Sequence, residues 1–517
     1  MKIKSTFIQL SFMLFCLVIL LLSVRGLSGN PSSKELNTPE WVNNGPFELS
    51  PERGRYALTY SLVEDKSFQF SKEIGNFAVP DVAVSDGRFV SLFAPLVSVI
   101  AIPGYIIGKY FGIAQVGSFA VVSLFALLNV ILLRLIAIRL GAGKIPATVA
   151  SLLFVFGTPA YTYAVSLYQH HISTFLILLS LYVLIKSDKV WSLLVIFLLC
   201  AISLPLDYPN VFFMFPIGLV ALGRIISIKK HSSNISLNVH ILKFLTPLIM
   251  IVPITFFLLF NQLSYGNPLQ IAGTLPSSKS AQTTNSLEAI SKANKLAEQD
   301  DSDKKSAIGF FETRELVNGF YIHFISPDRG ILYYTPIMLF GLIGIFFAYR
   351  KNVVMIPLLT AIIGANVLLY SMWGDPWGGW AFGSRYLIPT YAILSIFIAL
   401  LLTYWSKKIY LLIAITIVAF YSIAVNTLGA ITTSALPPQA EVLSLEKISG
   451  VVQKYTYARN WDYLLSGNSS SYVYQTFIER YVSPLQFYLS LASLICVVVG
   501  GLIIYHFFFS RKGEEHV

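Results

Sequence analysis

The stretch Phe93–Phe111, FAPLVSVIAIPGYIIGKYF, is apolar enough to enter a bilayer, and whether it crosses decides the topology of the whole chain. It carries Pro95, Pro103, Gly104 and Gly108, residues that weaken a helix interior. Other apolar runs approach the roughly 20 residues that a spanning helix needs. They lie at about 7–24, 116–137, 146–166, 172–186, 190–205, 209–226, 241–262, 331–349, 353–372, 386–405, 409–429 and 484–508. With the N-terminus inside and Phe93–Phe111 left out, the basic groups between spans all fall on the cytoplasmic side. These are Arg134, Arg139 and Lys144; Lys186 and Lys189; Arg224, Lys229 and Lys230; Arg350 and Lys351; Lys407 and Lys408; Arg511 and Lys512. Counting the stretch as a span would send every later basic loop outside. It therefore reads as an interfacial or re-entrant helix on the outer face.

The expected fold is an all-α polytopic membrane protein with about 12 transmembrane helices, both termini cytoplasmic. Composition agrees. The 517 residues are 55% hydrophobic and only 12% charged, and the mean hydropathy of +0.68 lies far above that of a soluble domain. A formal charge of +11 raises the question of nucleic acid, but the basic residues sit in short groups between apolar runs rather than in one patch. No nucleic-acid partner is expected. Cys16, Cys200 and Cys496 all lie inside apolar segments and form neither a disulfide framework nor a metal spacing. The first segment, FIQLSFMLFCLVILLLSV, reads as a retained signal anchor because the following RGLSGN is a weak cleavage site. No internal repeat is visible.

On this topology the outer face collects the unusual segments: the loop 26–92, YQHH at 168–171, LDYPN at 206–210, the loop 263–330, SMWGDPWGGWAFGSRY at 371–386, and 430–483. Residues 1–430 form the expected transmembrane catalytic module, and 431–517 add an outer loop and a C-terminal transmembrane helix. The polar run at about 274–308 lacks the apolar residues to build a core and is expected to be mobile.

Each outer motif has a plain reading beside a functional one. SPERGRYALTYSLVEDKSFQF and VPDVAVSDGRFVSLFAP carry Glu52, Glu64, Asp65, Asp81 and Asp86 among Arg53, Arg55 and Arg88. They are either a solvated loop or a set of acids and arginines held against the membrane. YQHH is an interfacial polar cap or, through His170 and His171, a donor pair for phosphate or a metal ligand, the last less well supported because no carboxylate or cysteine spacing accompanies it. Asp207 in LDYPN reads as a helix-boundary residue. In the 371–386 stretch an aromatic belt accounts for one or two tryptophans, less well for Trp373, Trp377 and Trp380 beside Asp375, two glycines and Arg385. Flat aromatic faces pack on sugar C–H groups, and arginines bond phosphates.

Four motifs, ERGRYALTYSLVEDKSF, DVAVSDGRFVSLFAPLVSVIAIPGY, SPDRGILYYTP and WGGWAFGSRYLIP, occur in that order between spans. Together, over roughly residues 5 to 405, they resemble the membrane glycosyltransferases of the GT-C fold. The nearest would be the family 39-like enzymes related to protein O-mannosyltransferases and lipid A aminoarabinose transferases. The resemblance implies a large first outer loop with a juxtamembrane helix, a polyprenyl-phosphate-linked sugar donor, and transfer of a hexosyl or pentosyl group to a glycan, lipid or protein acceptor on the extracytoplasmic face. It implies an outer-loop acid as base and an inverting reaction. Two departures stand out. Relatives carry an Asp-Glu pair where Glu52 is followed by Arg53, and a lysine where Phe93 stands.

The base is therefore sought first at Glu52, then Asp81, then Asp86, with Glu64 and Asp65 as solvated ends. Arg55 and Arg385 are the expected phosphate partners. Tyr56, Arg88, His170, His171, Arg329, Trp377, Trp380 and Tyr386 complete the expected substrate contacts. No cofactor is expected, and a divalent metal stays open. Two rivals stand beside this reading, a flippase for lipid-linked sugars and a non-catalytic envelope-assembly protein. Coupled transport fits less well, since no Asp or Glu lies inside a proposed span.

Overall fold

The computed structural model describes residues 2–42, 45–85, 87–231, 234–239, 241–275, 310–350, 355–405, 408–450 and 452–512. The polar run at 274–308 falls almost wholly outside the described residues. Among the described residues the architecture is helical, with two short antiparallel hairpins, Val82–Ser85 with Arg88–Ser91 and Ile226–His231 with Asn234–Val239. Among the described residues five helices are long and apolar enough to cross a membrane: Ala114–Arg139, Ile241–Tyr265, Arg385–Tyr404, Ile409–Ile431 and Pro484–Phe508. Shorter apolar helices, His170–Lys186, Val190–Leu206 and Asn210–Gly223 among them, cover most other expected spans. The count of about 12 remains an inference from charge parity.

Arg385–Tyr404 is the centre of the bundle. Every residue from Ile388 to Leu402 is buried, the signature of a helix apolar all round. Helices Ala114–Arg139, Lys144–Phe156, His170–Lys186 and Met338–Arg350 pack on it. The N-terminal end of this central helix is Arg385, so the core fixes where that guanidinium starts.

Two expected spans are broken. The run 146–166 divides into Lys144–Phe156 and Ala160–Ala164, and 331–349 into Ile331–Tyr334 and Met338–Arg350. Each break contains a Thr-Pro pair, and proline cannot donate to the preceding turn. The breaks meet: Thr335 Oγ1 donates to the Gly157 carbonyl at 2.8 Å. One interruption thus satisfies a backbone group exposed by the other.

The stretch that opened the topology question is the helix Leu96–Tyr110, packed along Ala114–Arg139. A Cβ at Gly104 would collide with the Gly117 carbonyl, and a Cβ at Gly117 with the Gly104 carbonyl. Here the glycines let two backbones touch. The loop 26–92 is folded around Phe47, whose ring lies 4.8 Å from Tyr56, 5.0 Å from Phe77 and 5.7 Å from Phe119. Glu64 is not merely a solvated end: it pairs with Lys109 at 2.7 Å and accepts from Tyr105 at 2.9 Å. The C-terminal region returns to the N-terminal helix, with Tyr472 N donating to Val24 O at 2.8 Å and Ser471 Oγ to Leu22 O at 2.6 Å.

Candidate active site

The loop 26–92 contributes the helix Ser50–Tyr60, which opens with Leu49 extended at its N-cap and Pro51 in the first turn. Proline there sacrifices no hydrogen bond. Pro51 and Arg55 are one helical turn apart, and Arg55 Nη1 donates to the Pro51 carbonyl at 2.9 Å. Its Nη2 donates to Gln169 Oε1 at 2.6 Å, and Gln169 Nε2 donates in turn to Asp207 Oδ2 at 3.1 Å. The helix is pinned to Leu96–Tyr110 through Ser98, whose hydroxyl donates to the Arg55 carbonyl at 2.9 Å. The Arg55 guanidinium lies over the Phe93 ring, 4.4 Å from its centroid.

The second cation comes from the tryptophan loop. Arg385 Nη2 donates to the Gly378 carbonyl at 2.6 Å, while Nε and Nη1 are buried without a partner among the described residues. The loop is shaped by Gly378 and Gly379, both at positive φ (72° and 63°), and by Asp375 Oδ2, which accepts from Gly379 N at 2.6 Å. Side chains with a Cβ rarely adopt that backbone. Arg329 clamps the loop from behind, donating to the carbonyls of Trp377, Gly379 and Leu436 at 3.2, 3.0 and 2.9 Å.

Arg55 and Arg385 meet over the Tyr168 ring, at 5.5 and 5.1 Å from its centroid. They share a cleft of about 180 Å³ whose wall includes Phe93, Gln169, Asp207 and Trp373. Tyr386 is fixed there by stacking on Tyr370 at 4.1 Å and 3°. Among the described residues Asp207 is the only carboxylate on the wall, and its hydrogen-bond link to Arg55 runs through Gln169. Burial pushes Asp207 up from the usual carboxylate range, with Arg55 opposing. Burial drives the Arg55 guanidinium down, with Asp207 opposing. Two like charges beside open space, with donor groups unspent, make a place for an anion.

Glu52 follows Pro51 of the cleft wall in the chain but does not itself line the cleft; it is fully buried, with neither carboxyl oxygen hydrogen-bonded among the described residues. Burial pushes it up to about 7, against the pull of Arg25, while Glu48 adds to the rise. Arg25 is itself committed to Glu48 at 2.7 Å and to Ser434 at 3.0 Å. Asp81 is half-buried, raised by burial and opposed by Ser50 and Arg55.

The remaining expected residues are placed as follows. His170 stacks on Tyr168 at 5.9 Å with Nε2 unpartnered among the described residues. His171 faces the bundle, with Nε2 at 2.7 Å from the Ala160 carbonyl and its own carbonyl accepting from Asn129 at 2.8 Å. Tyr56 is turned into the Phe47 cluster. Arg88 is exposed and donates to Gln69 at 2.9 Å. Trp377 and Trp380 do not line the cleft, and Trp380 Nε1 donates to Glu441 at 2.9 Å. Asp86 falls outside the described residues. Among the described residues no three His, Cys, Asp or Glu side chains gather as a metal site would require.

No protein-family model and no curated protein sequence matches the chain. Among solved structures, the chain is similar to ArnT from Cupriavidus metallidurans in the apo state, at 12% identity and TM-score 0.45, over 98% of this chain and 78% of that one. The same protein bound to undecaprenyl phosphate gives 12%, 0.42, 97% and 78%. The Archaeoglobus fulgidus oligosaccharyltransferase, in complex with Zn and sulfate, gives 14%, 0.43, 86% and 56%. At such values the chemistry has to be read from the cleft.

Proposed function

We propose that this chain is a membrane glycosyltransferase that moves a sugar from a polyprenyl-phosphate-linked donor to an acceptor hydroxyl on the extracytoplasmic face. The observation that carries the reading is the cleft where Arg55 and Arg385 meet over Tyr168, with Nε and Nη1 of Arg385 unpartnered among the described residues and Glu52, the neighbour of the wall's Pro51, pushed up to about 7. The four-motif resemblance supports the same class.

The chemistry divides between the two kinds of group. Glu52 in its ionised form takes the proton of the acceptor hydroxyl as that oxygen bonds to the anomeric carbon. The bond from that carbon to the donor phosphate oxygen breaks on the opposite side, so the configuration inverts. The leaving group departs as a phosphate anion and needs no acid. Arg385 and Arg55 stabilise the charge that gathers on its oxygens. A general base works best with a pKa near the working pH, and burial brings Glu52 there.

The test is the purified chain given polyprenyl-phosphate-linked hexose or pentose with crude envelope acceptors, read by mass spectrometry for free polyprenyl phosphate and for glycosylated product. Both should appear together. A donor moved across vesicles but never cleaved would make the chain a flippase, and a donor neither moved nor cleaved would leave an assembly role.

A further inference from the structure

A second cavity lies far from this cleft. The helix Ala114–Arg139 begins beside the outer loop, where Ala114 N donates to Asn30 Oδ1 at 3.1 Å. Twenty residues of helix separate Ala114 from Arg134, and at 1.5 Å per residue that is about 30 Å, the thickness of a bilayer's hydrocarbon core. Arg134 therefore marks the opposite membrane boundary.

There the first, second, third and last long segments leave a groove of about 760 Å³, bounded by Phe12, Phe15, Arg134, Lys144, Val498 and Leu502. The size falls within the range of ligand pockets, about 300–1,000 Å³. Its walls are apolar and its rim is cationic. Arg134 Nε donates to Thr148 at 2.8 Å, and among the described residues neither Arg134 nor Lys144 forms an ion pair. Lys144 also opens the helix Lys144–Phe156. A cation at a helix N-terminus is repelled by the macrodipole unless an anion sits between them.

We propose that this groove seats an anionic phospholipid of the leaflet opposite the cleft. Arg134, Lys144 and the helix end hold its phosphate, and its acyl chains lie over Phe12, Phe15, Val498 and Leu502. The two cations require an anion, and the apolar walls require that anion to carry hydrocarbon. An inorganic phosphate would satisfy only the rim.

The test uses the full chain, reconstituted in phosphatidylcholine nanodiscs with and without phosphatidylglycerol, and native mass spectrometry of the retained lipid. The wild type should retain phosphatidylglycerol over phosphatidylcholine. Lys144→Gln, at an exposed helix start, should reduce that preference about fivefold. Leu502→Trp, which fills the groove without touching a charge, should reduce retention of phosphatidylglycerol as well. Arg139→Gln should change nothing, because that guanidinium lies over Tyr182 at 5.2 Å, outside the groove. Equal retention in wild type and both groove variants would overturn the proposal. So would added polyprenyl phosphate displacing the phospholipid from the wild type.

Discussion

Replacing Glu52 by glutamine separates the two roles a buried carboxyl can have. In the folded chain Glu52 titrates at about 7, and in the unfolded chain near its ordinary 4.5. Between those values the folded state holds a proton that the unfolded state has lost, so stability falls as pH rises through the interval. Below 4.5 the carboxyl is neutral in both states and costs nothing. Above 7 the full penalty applies, about 3 kcal/mol for a shift of that size. Glutamine keeps the shape of the protonated acid and has no charge to bury. Glu52→Gln should therefore match the wild type in thermal unfolding near pH 4.5 and exceed it at pH 8. Turnover of the lipid-linked donor should move the other way, falling about 10²–10⁴-fold with the loss of a general base. Wild-type kcat/KM should rise with pH and level off above about 7. If Glu52 serves instead as an extra counter-charge for Arg25, the amide will be less stable at pH 8, and turnover will fall only as folding does. Stability lost at pH 8 with turnover within a few-fold of wild type would refute the reasoning.

Asp81→Asn should leave turnover within about tenfold of wild type, less than the loss of a general base; a collapse there with Glu52→Gln active would move the base to Asp81. Arg385→Gln should reduce kcat/KM about 10²–10³-fold, as loss of a preorganised charge partner does, with the folded fraction in size-exclusion chromatography unchanged. Arg329→Gln is expected to act on the fold: it leaves the carbonyls of Trp377, Gly379 and Leu436 short of donors, and should lower the unfolding temperature and open the 371–386 loop to protease.

The helices were legible because their runs are long and apolar, and the breaks at Gly157 and Thr335 less so. A Thr-Pro pair inside an apolar run does not by itself tell a kink from an end, and what settles these is a contact between residues 178 apart. The motif resemblance singled out Glu52, with Arg55 and Arg385 as its expected phosphate partners, and the structure adds that all three are buried. Type alone could not say which way a side chain points. Tyr56 belongs to a helix that buries its whole face, and Arg329 is spent on three loop carbonyls and its neighbour's. Gln169 and Asp207 were the residues missed as site members. Each caps a different helix, Gln169 at the start of His170–Lys186 and Asp207 at the end of Val190–Leu206, and the one available signal was an acid ending the apolar run at 206–210.

Those two residues explain a feature of the ERGRY motif that the sequence hides. Glu52 and Arg55 are three apart on one helix, the spacing of an ordinary ion pair. Paired with Arg55, Glu52 would be drawn down toward the usual carboxylate range or below, and would be a weaker base. Gln169 takes the Arg55 guanidinium at 2.6 Å and hands the interaction on to Asp207. Arg25, the cation that pulls hardest on Glu52, is bound to Glu48. Neither arginine hydrogen-bonds Glu52, and burial outweighs the pull of Arg25, leaving the carboxyl unbonded among the described residues at about 7. The carboxyl's availability as a base depends on where its neighbours' hydrogen bonds go.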